Sequence, residues 1–253
     1  MTSTRAKNGS GTQSIDRAFA VLSSFVEHPE QGITEIAERT DLKPSTVHRI
    51  VRALVASGFI EQREDTDNYR FGHAALVLGQ SAREALGFDL AMPILEQLGG
   101  ETGESINMGV RDGNEVVVVL RVESVQPLRF DQPAGSRLAL HCSSMGKSLM
   151  AFGDDNIDEL ELTSVTPSTI ATKAALRREL DEIRERGYSF DFEESIPGVS
   201  CVGAPVLDSD GRAVAAIAVQ APTVRMTRDR QEAIGRRLLS ATAEVSQAMR
   251  LGS

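Results

Sequence analysis

Cysteine is scarce in this chain: Cys142 and Cys201 are the two it has in 253 residues. Two thiols so far apart give no disulfide framework and no paired CxxC metal signature. A reducing cytoplasm is the simplest home for them. Long apolar runs are missing too, and no stretch reaches the roughly 20 residues needed to span a bilayer. Met1 to Gly11 are small, polar and slightly basic, with no apolar segment, so they read as a loose tail and not a signal peptide. There is no general basic excess either. The net charge is −9, from 27 Lys/Arg against 36 Asp/Glu. Residues 1–75 hold nine and ten of these, leaving 18 and 26 for the rest, so the two parts carry −1 and −8. That excludes a basic nucleic-acid coat. Any DNA contact must come from a local arrangement of Lys43, Arg49, Arg52, Arg63 and Arg70, with the acidic remainder away from the DNA. No internal repeat is present.

What is present is organised around Lys43-Pro-Ser-Thr-Val-His-Arg-Ile50 and its continuation to Gly58. Pro44 suits a first helical position, where its missing N–H costs nothing. Val47, Ile50, Val51 and Leu54 recur at helical spacing and form one buried stripe. Ser45, Arg49 and Arg52 fall on another face, flanked by Thr46 and His48. Gly58 suits the left-handed position that ends a helix. The preceding Ile33–Leu42 segment reads as a short helix, capped by Thr34, with Ile36, Ala37 and Leu42 inward and Asp41 in the turn. Two short helices so joined form a helix-turn-helix, the second lying in the major groove. Phe59–Arg63 and Asn68–Phe71 then read as the strands of a wing.

The rest follows in order. Ser14 caps a first helix whose Ile15, Ala18, Phe19, Leu22 and Phe25/Val26 face the next two. Residues 73–87 read as a linker helix with Leu76, Leu78, Ala82 and Leu86 apolar. Pairing with a second subunit or packing on its own domain would each bury that face. From Phe88 a second domain opens with a helix ending at Gly99-Gly100. A hairpin follows at Asp112-Gly113, its valine run reading as a central strand. A further strand is expected over Leu128 to Phe130, both pocket candidates. Then come a helix from Ser143, an amphipathic helix over Lys173–Arg186, three strands and a closing helix over Thr227–Met249. The order describes an antiparallel sheet with helices on one side or at the ends, an α+β domain.

At this point the sequence resembles the IclR family of bacterial transcriptional regulators, over nearly the whole chain. The matching segments are Ile33–Leu42 with Pro44–Ile50, Gly135–Lys147, Gly187–Glu194, Gly198–Pro205 and Ala216–Val219. The resemblance implies a disordered tail (1–13), a winged helix-turn-helix (14–72), a linker helix (73–87) and a GAF-like effector-binding domain (88–253). It also implies a homodimer or homotetramer on double-stranded operator DNA, dimerised through the DNA-binding half. Such a protein controls a small-molecule catabolic operon, with repression the favoured sign. Matched residue by residue, the family's effector pocket falls on Ser144, Met145, Asp191, Val199 and Cys201. The two hydroxyl positions that glyoxylate- and pyruvate-binding members use on the last strand hold Ala218 and Gln220 here. That departure argues against a two- or three-carbon keto acid, and an apolar lining of Met145, Val199 and Ala218 suits a larger, aromatic acid.

The helix start at Ser143-Ser144-Met145-Gly146 supplies an independent reason for an anion site, since backbone N–H groups there attract carboxylates; Ser143 merely capping its helix is the plainer alternative. An enzyme built on Cys142 or Cys201 with His141 is disfavoured, because sequence neighbours on a strand point to opposite faces. A metal site from the same three residues lacks a clustered further ligand. The reading is therefore a ligand-responsive DNA-binding regulator, not an enzyme, with no cofactor and a small organic acid as effector. Ser45, Thr46, His48, Arg49 and Arg52 would contact the operator, with Lys43, Arg63 and Arg70 on its backbone. The alternative is a small-molecule- or metal-binding protein whose N-terminal domain contacts protein.

Overall fold

The computed structural model describes residues 12–154 and 156–251. The expected tail, residues 1–13, lies outside them up to Gly11, and Gln13 already opens the first helix. The chain divides into two compact units between Glu84 and Ala85.

The first unit runs α1 (Gln13–Glu27), β1 (Glu30–Gln31), α2 (Ile33–Thr40), α3 (Pro44–Ala56), β2 (Ile60–Gln62), β3 (Tyr69–Phe71) and into α4 (His73–Ala85). β2 and β3 pair antiparallel as the wing, and β1 adds to the other side of β3. Pro44 starts α3 as expected. Its end is fixed by Gly58 at φ 73, which lets the Gly58 and Phe59 amides bond back to the carbonyls of Val55 and Leu54, both at 3.0 Å. Asp41 holds the turn at φ 52. Two expected caps are corrected. Gly32 precedes α2, with the Glu35 carboxylate accepting its N–H at 2.8 Å, so Thr34 lies inside the helix; Ser14 likewise lies inside α1.

α1 carries two apolar stripes, which the sequence reading merged. Val21 and Phe25 enter the core with Ile36, Val47 and Val51, whereas Ile15, Phe19 and Val26 stay exposed. α4 has no buried residue, and Leu76, Val77 and Leu78 all face outward.

The second unit runs α5 (Phe88–Thr102), β4 (Ser105–Asp112), β5 (Glu115–Val122), β6 (Arg137–Ala139), α6 (Ser144–Ala151), α7 (Lys173–Arg186), β7 (Ser189–Phe192), β8 (Val199–Leu207), β9 (Ala213–Pro222) and α8 (Arg228–Leu251). The strands form one antiparallel sheet in the order β6-β5-β4-β9-β8-β7. Helices cover both faces: α5 and α8 close one core, α6 and α7 the other. This corrects the one-sided arrangement, within an α+β fold as expected. β8, β9 and the first five residues of β4 are buried on both faces, whereas the valine-rich β5 alternates between buried and half-buried positions. α5 continues past Gly99 and Gly100 to Gly103, since glycine inside a packed helix costs only about 1 kcal/mol. Leu128 to Phe130 is loop, and the strand in that region is β6, paired with β5.

Candidate functional sites

On α3, Val47 and Val51 face the core, which turns Ser45, His48, Arg49 and Arg52 to the surface, with Thr46 half-buried beside them. Lys43, Arg49 and Arg52 make no ion pair among the described residues. The wing arginines are held differently. Arg63 bonds Asp65 at 2.6 Å and Glu30 at 3.1 Å, and Arg70 bonds Glu61 at 2.7 Å. The Asp65 hydrogen bond holds the Arg63 guanidinium above its ordinary range. Arg17 of α1 and Arg39 of α2 also make no ion pair among the described residues, so the exposed face of α3 and its start carry three of the unit's unpaired cations and the wing carries none.

In the second unit a small cavity opens at the start of α6. The Ser143 hydroxyl caps the helix by accepting the Gly146 N–H at 3.1 Å, and donates to the Ala139 carbonyl at 2.9 Å. The amides of Ser144 and Met145 make no hydrogen bond among the described residues, which are donors that a helix start leaves open. Cys201 of β8 and Ala218 and Gln220 of β9 form the floor. The structure therefore brings Ser144, Met145, Asp191, Cys201, Ala218 and Gln220 together, and separates the other pocket candidates. Leu128 is 62% exposed on the loop after β5, where its carbonyl accepts Arg225 Nη1 at 2.8 Å; it does not line the cavity. Phe130 lines a neighbouring outer vestibule, and Val199 is buried beyond the cavity on the same strand as Cys201.

Sequence reading missed Asn107, Gln132, Leu138, Ser195 and Ile196, which complete the lining. Asn107 pairs with Ala218 across β4 and β9, and its Nδ2 donates to Gln220 Oε1 at 2.7 Å and to Gln132 Oε1 at 3.3 Å. A polar residue inside the otherwise apolar Ile106–Met108 stretch was the available signal. The expected apolar lining is corrected by these three amides. Asp191, fully buried, accepts the Glu194 amide at 2.7 Å and also the Ser195 hydroxyl, so it shapes the loop after β7. Burial raises its pKa above the usual carboxylate range.

Behind the cavity, Lys147 of α6 is buried with Nζ 2.5 Å from Glu194 Oε1 and 3.8 Å from Glu179. Thr166 and Thr169 hydroxyls hold the Glu194 carbonyl from the other side, at 3.2 and 2.7 Å. Burial pushes Glu194 up to about 7 against an ordinary 4.5. Between those values the folded chain binds the proton more readily than the unfolded one. The contribution is therefore fully present below about pH 4.5 and is lost as pH rises through 7. Comparing wild type with Glu194→Gln by denaturant unfolding at several pH values, the stability difference should shift toward the variant by roughly 1–3 kcal/mol across that window. A pH-independent difference would refute the raised pKa.

His141 and Cys142 lie in the turn between β6 and α6, not on a strand as expected. His141 Nε2 donates to the Thr163 carbonyl at 3.0 Å. Burial pushes the Cys142 thiol up to about 12 and that of Cys201 well above its ordinary value, which leaves both protonated and poor nucleophiles. No cluster of three His, Cys, Asp or Glu side chains is placed to hold a metal among the described residues, and none of their helices is long and apolar enough to cross a membrane.

Both units match family models: residues 14–64 the IclR helix-turn-helix domain, and residues 88–247 the bacterial transcriptional regulator IclR C-terminal domain. The chain is 35% identical over 250 residues to the HTH-type transcriptional regulator BhcR of Paracoccus denitrificans, covering 96% of this chain and 90% of that protein. It is 31% identical over 250 residues to the HTH-type transcriptional repressor AllR of Klebsiella pneumoniae, covering 95% and 91%. Among solved structures, an IclR homolog from Microbacterium hydrocarbonoxydans complexed with 4-hydroxybenzoate superposes with a TM-score of 0.83, at 25% identity, over 94% of this chain and 99% of that one. With the helix-turn-helix of the first unit and nearly all of the two-faced antiparallel α+β unit matched, the chain belongs to the IclR family of bacterial transcriptional regulators, DNA-binding proteins and not enzymes.

Proposed function

We propose that this chain is a repressor of an operon for small-acid catabolism, acting as a homodimer in the cytoplasm and released from or locked on its operator by a small carboxylic acid. The observation that carries the DNA side is the charge pattern of the first unit. Lys43, Arg49 and Arg52 are exposed without ion pairs, whereas the wing's Arg63 and Arg70 are neutralised by their own carboxylates. Ser45, Thr46, His48, Arg49 and Arg52 contact bases and phosphates, and Lys43 the backbone; the wing arginines join only by exchanging a carboxylate for a phosphate.

One such helix reaches too few bases for a specific site, so two copies read a near-palindromic operator. The outer stripes of α1 and α4, among them Phe19 and a 72% exposed Leu76, supply the apolar surface that pairing buries. α4 then serves as the linker through which effector binding biases the spacing of two recognition helices. On the effector side, the open Ser144 and Met145 amides receive the carboxylate.

The test is operator binding by Arg49→Ala and Arg52→Ala chains over a salt series. Each should weaken binding by about 1–3 kcal/mol. A base-reading arginine relaxes sequence preference, and a phosphate-reading one lowers the salt slope by about 1. Undiminished operator affinity in both variants refutes the assignment of α3.

A further inference from the structure

Three side-chain amides face the effector cavity, and their hydrogen bonding is incomplete in a directed way. Asn107, Gln132 and Gln220 are 3%, 7% and 3% exposed. Asn107 spends both Nδ2 hydrogens on the oxygens of Gln132 and Gln220. Asn107 Oδ1 and the Nε2 groups of Gln132 and Gln220 make no hydrogen bond among the described residues. These three atoms are not sealed off from solvent, so an acceptor and two NH₂ donors stand open around one cavity for a ligand that can both donate and accept. No lysine or arginine lines that cavity, and its other polar features are the helix start of α6, Asp191 and Ser195.

We propose that Asn107, Gln132 and Gln220 are a neutral reader of the effector's second polar group, selecting an acid whose far end carries a hydroxyl or carboxamide. This rests on the acid-sensing reading above, in which Ser144 and Met145 take the carboxylate. The choice of group follows from the leftover atoms. A hydroxyl or carboxamide both donates and accepts, and so satisfies Asn107 Oδ1 as well as an Nε2. A ketone accepts only and strands Asn107 Oδ1. An alkyl end strands all three, which a polar site rejects strongly. A second carboxylate brings a charge into a cavity with no cation and with Asp191 already in its wall.

Four acids of similar length separate the possibilities by calorimetric titration of the full chain: 4-hydroxybutyrate, succinamate, succinate and pentanoate. 4-Hydroxybutyrate or succinamate should bind at least about tenfold tighter than succinate and pentanoate. Gln132→Met and Gln220→Met should bring that ratio within about twofold, with pentanoate gaining affinity as the amides it strands are removed. Gln132 sits on a loop, so at least that variant tests the reader without disturbing a strand. Equal affinities for all four acids, or a preference that survives both substitutions, overturn the reader. In that case binding that is lost when Gly203→Val displaces Ser144 still upholds the acid site itself. No binding by any of the four at millimolar concentration overturns both.

Discussion

Well above pH 7, where Glu194 is ionised, Lys147→Met should lower the stability of the second unit by about 3–5 kcal/mol, the effect expected when one partner of a buried ion pair is removed. Lys147 is 1% exposed and its Nζ is the one cation within 4 Å of Glu194 among the described residues. Glu194 Oε2 already lacks a hydrogen-bond partner. Without the lysine the whole carboxylate is left buried and uncompensated, so it must take up a proton or drag its loop into water. Methionine has nearly the length of the lysine stem, so little packing is lost and the penalty is electrostatic. The double variant Lys147→Met, Glu194→Leu separates these terms. Removing both charges should recover most of the loss, because an apolar replacement of a buried pair is often neutral or better. Calorimetry on the full chain, following the transition of the larger unit, reads both. A loss below about 1 kcal/mol in the single variant, on the scale of an exposed pair, would show that the pair is effectively solvated.

The same pair explains why the effector loop could not be seen in the sequence while the recognition helix could. α3 is specified locally: Pro44 at its start, Gly58 at its end and Val47 and Val51 between them lie within 15 residues, and each acts through its nearest turns. The Lys173–Arg186 helix was legible for the same reason, with Leu176, Leu180 and Ile183 buried as their spacing requires. The cavity is built from long-range register. Asn107 meets Gln220 across a separation of 113 residues, and only the pairing of β4 with β9 puts them on one face. A motif match marks Ser144 and Cys201 but is silent on residues in the loop after β5, which is why Gln132 went unread and Leu128 was placed inside. α1 failed for a third reason: two stripes of equal apolarity fit its period, and periodicity cannot say which one meets its own core. The stripe left outside is the one that supports pairing with a second copy.

Glycine-to-alanine substitution should act with opposite sign at two helical positions of this unit. At Gly100 on α5 an added Cβ meets nothing within 4 Å, so Gly100→Ala should stabilise by up to about 1 kcal/mol through reduced backbone entropy of the unfolded chain. At Gly146 the same methyl would sit 2.1 Å from the Leu140 carbonyl oxygen and 2.7 Å from its Cα. Those are backbone atoms in the turn that leads into α6, so they cannot rotate aside as a side chain could. α6 cannot retreat either, because all eight of its residues are buried between the sheet and α7. Relief must come from pushing the turn and the helix start apart, and the propensity gain of about 1 kcal/mol is outweighed by a strain of ~3 kcal/mol or more. The displacement falls on the Ser143 cap and on the Ser144 and Met145 amides one turn away. Gly146→Ala should therefore lose the effector response even where the unit still folds at low temperature. Parallel thermal melts of the two variants check the sign, and effector titration of the Gly146 variant below its melting point checks the site. A Gly146→Ala chain as stable and as responsive as Gly100→Ala would mean that the close approach of α6 to Leu140 is not what positions the cavity.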